Sequence, residues 1–190
     1  MSQSKNEIIR TYFAEVSQTL DRLPIDTIAE VVEAIENARI NGKQVFLFGN
    51  GGSAATASHF ACDLSKGGIV EGKPRIKAIS LCDNLSLMTA WGNDTAYEHI
   101  FAEQLVNLVQ PGDVVIGISG SGNSPNVLNG MKVAREKGAR TIGFGGFDGG
   151  KLKDMVDIPL VVANNCMEQV EDFHLLLEHA ITTCLREMEI

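Results

Sequence analysis

Five short runs of apolar and β-branched residues constrain this chain more than any other feature. They are QVFLFG (44–49), RIKAISLC (75–82), DVVIGIS (113–119), RTIGFGG (140–146) and DIPLVV (157–162). Each is closed by a turn rich in Gly, Asn, Asp or Ser and then by a helical pattern. Several are nearly continuous rather than alternating, which marks strands buried on both faces. Strands separated by helical segments require right-handed crossovers and a parallel sheet. The pattern predicts an α/β fold: one doubly wound, five-stranded parallel sheet flanked by helices.

Upstream of the first run the period is helical. Ile8, Ile9, Tyr12, Phe13, Val16 and Leu20 form one stripe, and Pro24 then breaks the chain. Asp26 is placed to cap a second helix that turns Ile28, Val31, Val32 and Ile35 inward and stops at Gly42. A last helix spans about Met167 to Glu187, with Val170, Phe173, Leu176, Leu177, Ile181 and Leu185 available to bury against the sheet or a neighbour. The expected organisation is one domain over 1–190: a helical segment at 1–42, then the α/β core and C-terminal helix at 43–190.

Charge narrows the partners. The 190 residues carry 16 Lys+Arg against 24 Asp+Glu, a formal net charge of −8. Gripping nucleic acid needs clustered cations, so nucleic acid is not the expected partner. The densest basic run, Lys132, Arg135, Lys137 and Arg140, has the spacing of a solvated helix face. No stretch approaches the roughly 18 apolar residues of a membrane span, and MSQSKNEIIR lacks the apolar core of a signal peptide. The expected location is the cytoplasm. Cys62, Cys82, Cys166 and Cys184 form no CxxC pair, and read as free, mostly buried thiols.

In doubly wound sheets ligands bind beyond the carboxyl ends of the strands. The first strand ends in Gly49-Asn50-Gly51-Gly52-Ser53-Ala54 and opens a helix. Glycines admit a ligand close to the backbone, and a helix start offers free N–H groups and a positive dipole end. The segment also matches a permitted form of the dinucleotide fingerprint, with Asp83 ending the next strand. A dinucleotide gives no reason for the second loop, Ser119-Gly120-Ser121-Gly122-Asn123-Ser124 before Pro125. Its hydroxyls surround a small anion, and without Gly-Lys-Ser/Thr it is not a triphosphate loop. Two such loops favour a phosphate monoester on a small molecule, and no nucleotide cofactor is expected.

Proton-transfer candidates lie on two helices. His59 and Asp63 are i and i+4, a spacing that suits either a metal pair or an acid–base couple. On the last helix Glu171, His174 and Glu178 form one stripe, with His179 about 80° around the axis from Glu171.

Taken together, FGNGGSAATASHFACDL, WGND (91–94), GISGSGNSPNV and GFDGGKL (146–152), with Glu171 and His179 on the final helix, resemble the sugar isomerase (SIS) domain family and, within it, the phosphoheptose isomerases. The resemblance runs from about residue 45 to the carboxyl terminus. It implies a flavodoxin-like sheet and an aldose–ketose isomerase, acting on sedoheptulose 7-phosphate through an enediol for surface polysaccharide precursors. It makes Asp63 and His179 the catalytic base and acid, and His59, Asp63, Glu171 and His179 a site for one zinc ion. It matches Ser53, Ser119, Ser121 and Ser124 to phosphate-binding serines, and Asn93, Asp94 and Glu168 to positions that touch sugar hydroxyls; Asn50, Gly51, Gly52, Gly120 and Glu171 complete the expected substrate-binding set. It further implies a homotetramer with sites built at subunit interfaces.

The chain departs from the family pattern at four of these positions. The family usually has Glu at the position of Asp63, Gln at Glu171, Asp at Glu168 and Thr at Gly120. The shortened residue 63 also admits a non-catalytic, sugar-phosphate-binding regulatory protein of the same fold, and a phosphate loop that reads only the common group also admits an isomerase of another phosphosugar.

Overall fold

A computed structural model describes residues 3–188, so residues 1–2 and 189–190 of the expected segments lie outside the described residues. Its centre is a parallel sheet of β1 (Gln44–Gly49), β2 (Lys77–Ser80), β3 (Val114–Ser119), β4 (Arg140–Gly146) and β5 (Ile158–Val162), in the order β2-β1-β3-β4-β5. This is the expected doubly wound sheet. The order reverses at β1 and β3, where Val45 pairs with Val114 and Gly49 with Ile118. The crevice of such a sheet opens at that reversal. β2 is shorter than its 75–82 run because it is an edge strand, and Lys77 and Ile79 are exposed.

Alternation along the inner strands splits the core into two layers. Val45 and Leu47 of β1, with Val114, Ile116 and Ile118 of β3, face α2 (Ile25–Ile40), α3 (Gly52–Lys66) and α7 (Met167–Glu187). Phe46, Phe48 and Val115 face the opposite layer, where α5 (Ala102–Leu108) and α6 (Pro125–Glu136) pack. Both faces being covered explains why these strands read as continuous apolar runs. α4 (Leu85–Asp94) borders the second layer through Met88 and Trp91.

The helix ends show what local chemistry was and was not legible. α1 (Lys5–Leu20) begins with a capping box between Ser4 and Glu7. Asp26 does not cap α2. Pro24 occupies the cap without a side-chain bond, and Asp26 lies in the first turn, where its charge suits the helix dipole. α2 does stop at Gly42, whose φ of 65° lets Lys43 N–H reach the Ala38 carbonyl at 2.8 Å. α7 has the expected limits and buries Val170, Phe173, Leu177, Ile181 and Leu185, whereas Leu176 stays 45% exposed.

α1 buries only Thr19 and leaves Ile8, Ile9, Phe13 and Leu20 exposed by 53, 53, 64 and 49%. Its Tyr12 hydroxyl donates to Asp172 of α7 at 2.5 Å, which pushes the phenol up to about 12. The four cysteines are free, but Cys62 and Cys184 are exposed rather than buried. Among the described residues, no helix is long and apolar enough to cross a membrane.

Candidate active site

Two adjacent features occupy the region where β1, α3 and α7 meet. The first is a cavity of about 180 Å³ at the carboxyl end of the sheet. Asn50, Ser53, Ser119, Gly120, Ser121 and Ser124 line it, together with Ile118, Met167 and Glu171. Both small-residue loops therefore face one space. Ser119 and Ser124 hydroxyls lie 3.0 Å apart, and Ser121 accepts from the Asn123 N–H at 3.2 Å. The amino ends of α3 and α6 converge here, so hydroxyls, free amides and two helix dipoles favour an anion.

The loops are held as one body. Asn50 and Asn126 exchange side-chain amide hydrogen bonds at 2.9 and 2.8 Å, and the Tyr97 hydroxyl donates to Asn50 Oδ1 at 3.0 Å. Gly146 N–H donates to the Gly120 carbonyl at 2.9 Å, and Leu152 N–H to that of Gly122 at 3.0 Å. Gly122 has φ 63°, and a Cβ there would run into the Gly149 carbonyl. Asn126 was not singled out from the sequence. The signal was faint: an amide just inside α6, 76 residues from its partner.

The second feature lies deeper along α3 and α7. His59 and Asp63 of α3 meet Glu178 and His179 of α7, with donor atoms all within 4.8 Å of one another. His59 Nε2 lies 3.9 Å from Asp63 Oδ1, and His179 Nε2 lies 3.7 Å from Asp63 Oδ2. His59 Nδ1 and His179 Nε2 each lie 3.5 Å from Glu178 Oε1. The two imidazoles meet edge to face with centroids 5.0 Å apart. Both histidines are about half exposed, whereas the Glu178 side chain is fully buried. Burial, with the Asp63 charge beside it, pushes the Glu178 carboxyl up to about 8.

The expected quartet of His59, Asp63, Glu171 and His179 is thus only partly assembled. Glu171 does not join the other three. Its carboxylate leans on Gly52, where a Cβ would collide with it, and it lines the serine cavity instead. The reason is helical register: α3 and α7 run side by side, Gly52 against Glu171 and His59 against Glu178, seven residues further along each. Five other expected contacts, Gly51, Gly52, Asn93, Asp94 and Glu168, also fall outside the cavity lining. Asn93 and Asp94 are exposed at the end of α4, where Asn93 Nδ2 donates to Asp94 Oδ1 at 2.8 Å. Glu168 is exposed and accepts from the Cys166 thiol at 3.3 Å. Gly51 stands at the cap of α3 with φ 53°. His174, on the same stripe as Glu178, is buried and bonds Gly145, which makes it a core residue.

Two imidazoles and two carboxylates within 4.8 Å of one another can move protons or hold a divalent ion. Beside an anion cavity, that combination suits chemistry on a phosphorylated small molecule.

Comparison with known proteins agrees with this geometry. The SIS domain family model matches residues 11–146. A phosphoheptose isomerase of Aliarcobacter butzleri is 42% identical over 182 residues, covering 93% of this chain and 94% of that protein. The solved structure of phosphoheptose isomerase from Neisseria gonorrhoeae superposes with a TM-score of 0.89 at 32% identity, covering 96% of this chain and 98% of that one. That of the Francisella tularensis enzyme gives 0.90 at 28% identity, covering 98% and 100%. Sheet order, the paired loops and these likenesses together place the chain in the SIS domain family and, within it, among the phosphoheptose isomerases.

Proposed function

We propose that this isomerase converts sedoheptulose 7-phosphate into D-glycero-D-manno-heptose 7-phosphate through an enediol. The observation that carries the reading is the serine cavity lying along the same helix pair as the histidine–carboxylate cluster. The phosphate takes the hydroxyls of Ser53, Ser119, Ser121 and Ser124 and the amides of the two loops. Asp63 accepts the proton from C1 while His179 gives one to the C2 carbonyl oxygen, leaving the enediol. Asp63 then returns its proton to C2 as His179 removes the one on O1, so the aldose forms with no net loss of atoms. The two oxygens of Asp63, one toward His59 and one toward His179, let the carboxylate be oriented by one face and react at the other.

The donor set fits a divalent ion, since it pairs imidazole nitrogens with carboxylates and contains a buried carboxylate with no hydrogen-bond partner. His59, Asp63 and His179 would hold zinc here. Bound zinc supplies Lewis-acid polarisation of substrate oxygens. The exposed apolar face of α1 supports a homotetramer, because surface of this kind is characteristic of an interface. The acidic chain, 1–190 acting as one domain, works in the cytoplasm on a precursor of surface polysaccharide.

Turnover of sedoheptulose 7-phosphate, resolved by chromatography with added zinc and with chelator, tests the reading. An aldoheptose 7-phosphate that disappears in Asp63→Ala is the expected result. Binding of the ketose phosphate without turnover would replace the enzyme with a regulatory sugar-phosphate-binding protein.

A further inference from the structure

We propose that Glu178, rather than Glu171, is the acidic ligand that α7 contributes to the metal centre of this chain. The inference rests on the zinc site proposed above and names a donor that the family resemblance does not. Both Glu178 oxygens are buried and lack a hydrogen-bond partner among the described residues. Its side chain has no solvent exposure, yet Oε1 faces His59 Nδ1 and His179 Nε2 at 3.5 Å each. A buried carboxylate without a partner is costly and requires a counter-charge or a hydrogen-bond donor.

The spacing suits a metal. Ligands about 2.1 Å from a tetrahedral zinc stand about 3.4 Å from one another. The separations of Glu178 from both histidines, and the 3.7 Å from Asp63 to His179, are close to that edge. Two carboxylates, Asp63 and Glu178, match the charge of a dication, and the two imidazoles offer nitrogen ligands. Glu171 is left to the other feature. Its carboxylate, set against Gly52 beside the serines, is placed to accept from a sugar hydroxyl.

Titration of the chelator-stripped full-length protein with Co²⁺, followed by the visible bands of four-coordinate cobalt and then by Zn²⁺ competition, separates the two glutamates. Wild type and E171Q are expected to bind one ion per chain with equal affinity. E178Q should bind at least about tenfold to a hundredfold more weakly, and E178D should also weaken, since it keeps the charge but retracts the oxygens. Thermal melting of each metal-free variant controls for folding, and Zn²⁺ should raise the melting temperature of E171Q but not of E178Q. Wild-type affinity in E178Q, loss of affinity in E171Q, or a wild type that binds neither ion would each overturn the proposal. A wild type that binds neither ion yet turns over sedoheptulose 7-phosphate would leave the proposed reaction standing while the metal centre fell.

Discussion

Asn50 and Asn126 grip each other with both ends of their amides, at 2.9 and 2.8 Å, and so tie the loop after β1 to the first turn of α6. Neither loop has a side chain that reaches the other in this complementary way among the remaining serines and glycines of the cavity. Asn126 also accepts from the Val127 N–H at 3.0 Å and is only 2% exposed. Its role is to position Asn50, which itself lines the cavity.

N126A is therefore expected to lower stability by about 1–3 kcal/mol, the usual cost of leaving buried polar groups unmatched. Steady-state kinetics should show KM for the sugar phosphate rising more than kcat falls. N126D should be worse than N126A in chemical denaturation, because it buries a carboxylate against the Asn50 Oδ1 oxygen with no donor between them.

Asp63 is the proposed base. D63A should reduce kcat by roughly 10²–10⁴, the usual contribution of general acid–base catalysis, with little change in melting temperature. D63E keeps a carboxylate one methylene further out and should retain part of the turnover. Equal activity in wild type and D63A would remove Asp63 from the chemistry.

His174 sets an acid limit on stability. Its Nε2 bonds the Gly145 carbonyl at 3.1 Å while burial holds its pKa down to about 4, from an ordinary 6.5. The folded state thus favours the neutral ring. That stability is fully present above pH 6.5, declines as pH falls, and is lost by about pH 4. Its full extent is about 3 kcal/mol, from the separation of the two pKa values. Denaturation midpoints measured across this window should slope in wild type and flatten in H174Q, which retains a donor for Gly145 without titrating.

Arg39 is fully buried, pairs with Glu36 at 3.1 Å and donates to the carbonyls of Gly68 at 2.7 Å and Leu185 at 3.4 Å. It joins α2 to the ends of α3 and α7. R39A removes one of the two cations beside Glu36, the other being Lys73 at 3.3 Å, and takes the donor from the Gly68 and Leu185 carbonyls, which should cost about 1–3 kcal/mol. R39M with E36L also takes the partner from Lys73 and should recover only part of that loss in the same denaturation assay.

The inner strands were legible because burial on both faces leaves nothing but apolar residues to read, as in Val45–Phe48 and Val114–Ile118. The phosphate-friendly loops were legible because small residues between strand and helix have few other uses. What escaped depended on how separate elements meet. Glu171, His174 and Glu178 share one stripe of α7, yet one lines a cavity, one bonds the core and one faces two histidines. Nothing in the spacing of that stripe distinguishes them; the register of α3 against α7 does. Arg39 and Asn126 escaped for the same reason, since their partners lie many residues away.

That register has a consequence for selectivity. Gly52 faces Glu171 and His59 faces Glu178 seven residues on, so the anion end and the proton-transfer end are about 10 Å apart at 1.5 Å per residue. Helices do not stretch, and the pair acts as a ruler. In the proposed reaction, a ketose anchored by its phosphate would present to His179 the carbon that lies that many bonds away. A shorter sugar phosphate docked at the same serines is expected to stop short of the reacting groups and to inhibit competitively, which steady-state inhibition kinetics would check.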